Sequence, residues 1–177
     1  MTTGFVAFVA IVVLGLVLYT LWDRGRAQQQ VRQRPASEQM AALAAEAVQA
    51  AHDAYDVTLD YTEASVEHVE GILAKLHEEH RARSFFPERM IAEANRWGAY
   101  LGEVARRVRG GEWQRDSSHV GANAFPLVFG EQNEIYPFAW CYRRITNGAE
   151  DNVWVKFRLS VTEPPGKPII EIRASDL

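Results

Sequence analysis

The polar side chains best placed for chemistry lie on one stretch, Arg96-Trp97-Gly98-Ala99-Tyr100-Leu101-Gly102-Glu103-Val104-Ala105-Arg106-Arg107, which runs through Gly110-Gly111 to Trp113. Helical spacing sets Arg96, Tyr100, Glu103 and Arg107 on neighbouring turns. A carboxylate beside a phenol and two guanidinium groups can move a proton and hold an anion, which is hydrolase-like chemistry. The plainer reading is an ion pair. Glu103 four residues ahead of Arg107 is the favourable order for a helical surface pair worth roughly a few tenths of a kcal/mol. Tyr100, Glu103, Arg107 and Trp113 are therefore the candidate binding residues, with Glu103 and Tyr100 as the catalytic pair of the alternative reading.

Gly98 and Gly102 each cost about 1 kcal/mol relative to alanine inside a helix. With Ala94 they form a stripe of small side chains at four-residue intervals, a groove that lets another backbone approach. The second helix or the strand pair is the expected occupant, and a bound ligand or partner protein is the alternative.

Other reactive residue types are less well arranged. His77 and His80 are three residues apart with Glu78 and Glu79 between them, whereas a zinc-protease helix needs its two histidines four apart. Beside Arg81 and Arg83 they suit a solvated helix end that complements the dipole. The single cysteine, Cys141, lies in the apolar run Phe138-Ala139-Trp140-Cys141-Tyr142 and reads as a buried thiol; no motif links it to His119 as a nucleophile–base pair. No glycine-rich phosphate loop occurs, and no cofactor or metal is expected. Residues 36–177 hold 15 basic and 22 acidic side chains, net −7, which disfavours nucleic acid as a partner. Arg106, Arg107, Arg109 and Arg115 form the basic cluster of this region.

The elements that must position these residues can be read from periodicity. Met40, Leu43, Ala44, Ala47, Val48 and Ala51 recur at helical spacing from Ser37 to about His52. Tyr55–Leu59 reads as a short β-like piece. Asp60 or Thr62 caps a second helix, striped by Val66, Val69, Ile72, Leu73 and Leu76, that runs to about Arg81. Pro87 opens a third, which the Gly110-Gly111 pair stops. Beyond it, Ala124–Phe129 reads as a buried strand and Pro137–Arg144 as a short helix closed by Asn147-Gly148. Val153–Val161 alternates apolar with polar side chains and predicts a half-buried strand, with Trp154 on its outer face. Ile169–Ile172 completes a hairpin. The sum is an α+β domain, residues 37–177, of about three helices and a small, mainly antiparallel sheet.

Ahead of that domain the chain changes character. Of 177 residues, Gly4–Trp22 are 19 without any Lys, Arg, Asp or Glu. A helix of that length is about 28 Å long and matches the hydrocarbon core of a bilayer. Residues 1–22 therefore read as an uncleaved transmembrane anchor, since no basic side chain precedes the run and no small-residue cleavage pattern follows it. Residues 23–36 are a polar linker in which Arg24, Arg26, Arg32 and Arg34 face only Asp23. Positive charge stays inside, so the domain is expected in the cytoplasm at the inner (plasma) membrane, with a three-residue N-terminus outside.

The Trp97–Trp113 run, with Pro126 and Tyr136-Pro137-Phe138, resembles a group of uncharacterised bacterial α+β domains that share a Gly-Ala-Tyr-Leu-Gly-Glu-Val helix ending in Gly-Gly-x-Trp. The resemblance implies a small α+β module over about residues 55–148 and brings no activity with it. The expected function is a non-catalytic module that binds a protein partner or a small ligand beside the inner membrane. The alternative is a membrane-tethered enzyme.

Overall fold

The computed structural model describes residues 34–130 and 133–162. The expected anchor at 4–22, most of the linker and the expected strand at 169–172 thus lie outside the described residues. Among the described residues, no helix is long and apolar enough to cross a membrane. The domain is mixed α+β, with five α-helices and a small three-stranded antiparallel sheet among the described residues.

Helix α1, Ala36–Tyr55, buries Met40, Ala44, Ala47 and Ala51, a stripe at alternating four- and three-residue steps. Methyl side chains keep that face thin, so α1 lies close along α3, Pro87–Arg109. The two run antiparallel. Tyr55 at the end of α1 meets the middle of α3 edge-on at Trp97, with ring centroids 6.0 Å apart, while the α1 start packs by the strand that follows α3.

After α1 the chain is coil where a β-like piece was expected. Asp56 turns it with φ +56°, and the Val57 amide donates back to the Ala51 carbonyl at 3.1 Å. Asp60 takes both the amide (3.0 Å) and the hydroxyl (2.7 Å) of Thr62. That local turn delays helix α2 to Ser65–Ala82, later than the expected cap. Helix α3 starts on Pro87 and stops at Gly110, whose φ of +84° lets its amide return to the Arg106 carbonyl at 2.9 Å.

Strands β1 (Glu112–Trp113), β2 (Leu127–Phe129) and β3 (Asn133–Ile135) pair in that order, with Trp113 opposite Leu127 and Leu127 opposite Ile135. The expected strand at 124–129 is real only in its last three residues. Helix α4, Pro137–Asn147, follows and is closed by Gly148 as the sequence indicates.

The predicted strand at 153–161 is helical. Val153–Phe157 forms α5 and Arg158–Thr162 continues as a π-helical turn. The apolar alternation contained a second period: Val153, Phe157 and Val161, four apart, are buried, whereas Val155 and Leu159 are 52% and 51% exposed. Two side chains fix the outcome. Asn152 caps the helix by accepting from the Val155 amide at 2.9 Å, and Glu70 of α2 accepts from the Val153 amide at 2.8 Å. Trp154 is half-buried, with the Arg158 guanidinium 5.9 Å from its ring centroid one turn on.

Candidate functional site

Glu103 is the centre of the candidate cluster, and it is 3% exposed. Its oxygen Oε1 accepts from the Trp113 indole at 2.8 Å, and Arg106 donates to it from Nε at 3.1 Å and to Oε2 from Nη2 at 2.9 Å. The pair is thus made with Arg106 at three residues, in place of the expected Arg107 at four. Hydrogen bonding to Glu103 raises the Arg106 pKa, holding the guanidinium charged. The geometry fastens the sheet's first strand to α3: a carboxylate with both oxygens engaged clamps Trp113 over the helix end.

The glycine stripe explains why Trp113 can reach that position. A methyl placed on Gly102 would sit 2.1 Å from the Trp113 ring, and one on Gly98 would sit 2.7 Å from Cα and 2.8 Å from N of Phe138. The groove foreseen from the sequence therefore exists and is filled within the domain. Its occupants are Trp113 and the first turn of α4, where the second helix or a strand pair was expected.

Tyr100 is fully buried on the α2 side of the same helix. Its hydroxyl accepts from the Tyr61 amide at 2.9 Å and exchanges a hydrogen bond with Ser65 Oγ at 2.6 Å. Burial raises its pKa, an effect the Ser65 bond partly offsets. Tyr100 and Glu103 thus serve different partners.

Arg107 pairs with the Tyr61 ring in place of Glu103, its guanidinium carbon 3.6 Å from the centroid. Behind that ring stands Tyr100 at 4.9 Å between centroids, so Tyr61 is held between a cation and a second ring. The structure thus joins Glu103 with Trp113, and Arg107 with Tyr100 only through Tyr61. Nothing in the sequence singles out Tyr61; its left-handed backbone, φ +61°, is rare for a bulky residue and accompanies these contacts.

A second polar cluster escaped the sequence reading. Ser117 Oγ lies 2.7 Å from the Tyr136 hydroxyl and 3.2 Å from Glu134 Oε1, and accepts from the His119 and Val120 amides. Tyr136 also donates to Glu134, and burial together with that bond lifts its pKa to about 12. His119 stands 3.8 Å from Glu134 and is largely exposed. Its ring does not hydrogen-bond Ser117, so the set lacks the serine–imidazole bond of a nucleophilic site and instead pins the 117–121 turn to β3. Cys141 is buried on α4, away from this cluster's hydrogen bonds, and burial pushes its thiol pKa up.

The two neighbouring histidines also have separate structural partners. His77 Nδ1 bonds the Ile145 carbonyl at 2.8 Å, and His80 Nδ1 accepts from the Phe85 amide at 3.0 Å.

No protein-family model, curated protein or solved structure matches the chain significantly.

Proposed function

We propose that the chain is a single-pass protein of the inner membrane whose cytoplasmic domain is a non-catalytic module binding a protein partner or small ligand. The uncharged run of residues 4–22 and the arginines that follow it support the anchor and its orientation. The observation that carries the non-catalytic part is Glu103: its oxygens are occupied by Trp113 and Arg106, so acting as a base requires dismantling the joint between sheet and helix. The filled glycine groove points the same way, against a membrane-tethered hydrolase built on Glu103 and Tyr100.

Two measurements test this. An alkaline phosphatase fused after Leu177 stays silent in cells if the domain is cytoplasmic, and strong activity reverses the orientation. A photo-crosslinking amino acid placed in turn at exposed Phe86, Ile91, Val120, Val155 and Leu159 yields a discrete partner adduct at neighbouring positions only. The same faint ladder at every position overturns the binding reading.

A further inference from the structure

We infer that His80 is a proton-operated latch on the turn between α2 and α3: neutral, it holds residues 83–86 closed, and protonated it releases them together with Phe85. Two imidazoles one helical turn apart show why the role falls to His80. His77 Nδ1 lies 2.8 Å from the Ile145 carbonyl, an acceptor, so that nitrogen carries the proton. A second proton on the His77 ring goes to Nε2 and leaves the bond intact. His80 is arranged the other way: its Nδ1 accepts from the Phe85 amide at 3.0 Å, so the neutral ring has its proton on Nε2. Protonation then has only Nδ1 to use, and it sets one N–H against another.

The latch holds more than one bond. The Phe85 ring stands edge-on to the His80 ring, with centroids 5.2 Å apart, and meets the Arg89 guanidinium 3.7 Å from its centroid. Phe85 is half-buried against the core, whereas Phe86 beside it is 79% exposed. Upstream, the Arg83 amide returns to the Glu79 carbonyl at 2.8 Å and closes α2; downstream, the Met90 amide on the Phe86 carbonyl begins α3. Between those two, the described hydrogen bonds include one tie on the turn, the bond to His80. Its loss frees Phe85 to join Phe86 as a second exposed aromatic ring.

The charges around the ring supply no ready counter-ion for an imidazolium in the closed turn. On α2 itself Glu78 pairs with Arg81 at 3.4 Å, and Glu79 pairs with Arg89 of α3 at 2.5 Å, leaving Arg83 in the turn and Glu88 on α3. From α1, Tyr55 enters the field of Glu79 and Arg89, its phenol kept protonated chiefly by burial. Helix α4 meets α2 at His77 through a carbonyl, and its Arg144 is held by Glu70, ten residues and about 15 Å back along α2. The last-turn carbonyls of α2 favour a cation at His80. The added proton must sit on the nitrogen that faces the Phe85 amide, so that gain comes only with the turn open.

The test follows the full chain in detergent micelles by NMR. Exchange of the Phe85 amide with water, divided by that of an unstructured peptide at the same pH, is measured from about pH 8 to about pH 5, where imidazoles change charge. Protection should fall about tenfold, the weight of one net hydrogen bond, and the backbone order parameters of residues 84–86 should fall with it. His80→Asn keeps an acceptor near the Nδ1 position and takes up no proton. Both readouts should hold in acid in that variant, although His52, His68, His77 and His119 still titrate. His80→Ala should be open at either pH. Equal loss of protection in wild type and His80→Asn overturns the latch, as does a wild-type turn whose protection or order is indifferent to pH. Long-range proton–nitrogen spectra of the wild type decide independently of any variant: in the neutral rings Nδ1 should be bare at His80 and protonated at His77, and a protonated Nδ1 in neutral His80 overturns the inference.

Discussion

Two carboxylates, Glu103 and Glu70, do the same work in different parts of the domain, and the contrast shows how a buried charge is built. Glu103 draws its partners from close by in the chain, Arg106 three residues on and Trp113 ten. Glu70 reaches across 74 residues to Arg144 at 2.6 Å and 83 residues to the Val153 amide. The local pair is lopsided in solvation, for Arg106 is 42% exposed beside a Glu103 that is 3% exposed. The distant pair is enclosed on both sides, 13% for Glu70 and 5% for Arg144. A charge whose partner can turn to water is replaceable; one whose partner is sealed in with it is not. Glu70 also decides secondary structure, since it takes the first amide of α5.

The largest expected effect follows from that asymmetry. Glu70→Ala strands Arg144 with no counter-ion and leaves the Val153 amide without its acceptor, so chemical denaturation should show a loss of about 3–5 kcal/mol. Glu103→Ala should cost less, about 2–3 kcal/mol, because Arg106 recovers hydration and the lost term is mainly the charged bond to Trp113. Equal losses for the two substitutions would break the comparison.

Gly98→Ala tests the joint from the other side. It pushes a methyl against the Phe138 backbone, which cannot swing aside as a side chain can, and about 1–3 kcal/mol of destabilisation is expected. Arg106→Ala should cost about 1–3 kcal/mol, because it leaves the buried Glu103 carboxylate with the Trp113 indole as its remaining partner.

The smallest effect is a pH dependence. Tyr136 keeps its proton in the folded domain up to about pH 12, against an ordinary value of 10.0. Its contribution is fully present below pH 10 and is lost as pH rises toward 12, because the unfolded chain releases that proton first. Tyr55, Tyr61 and Tyr100, also raised mainly by burial, act with the same sign. Tyr136→Phe should therefore flatten part of the alkaline decline in melting temperature without removing it.

How legible each part was in the sequence follows from the range of its contacts. Helices α1 to α3 and α4 announce themselves through local signals: the stripe in α1, Pro87 and Gly110 around α3, Pro137 and Gly148 around α4. The glycine groove was foreseen but its occupant was not, because Phe138 and Trp113 arrive there by tertiary packing. The 153–161 segment misled because its apolar residues fit period two and, in the subset Val153, Phe157 and Val161, period four. What separated them was Glu70, more than 80 residues upstream. Tyr61 and the Ser117–Glu134–Tyr136 set carry no spacing that distinguishes them from ordinary loop residues; folding alone makes them neighbours.

The burial of Cys141 gives the domain an internal clock. The thiol is enclosed on α4 three residues from Arg144, and burial, with the nearby Glu70 charge, holds it protonated. It can react only when that part of the core opens. The rate at which a thiol reagent modifies the otherwise cysteine-free chain thus counts openings around the Glu70–Arg144 pair under native conditions.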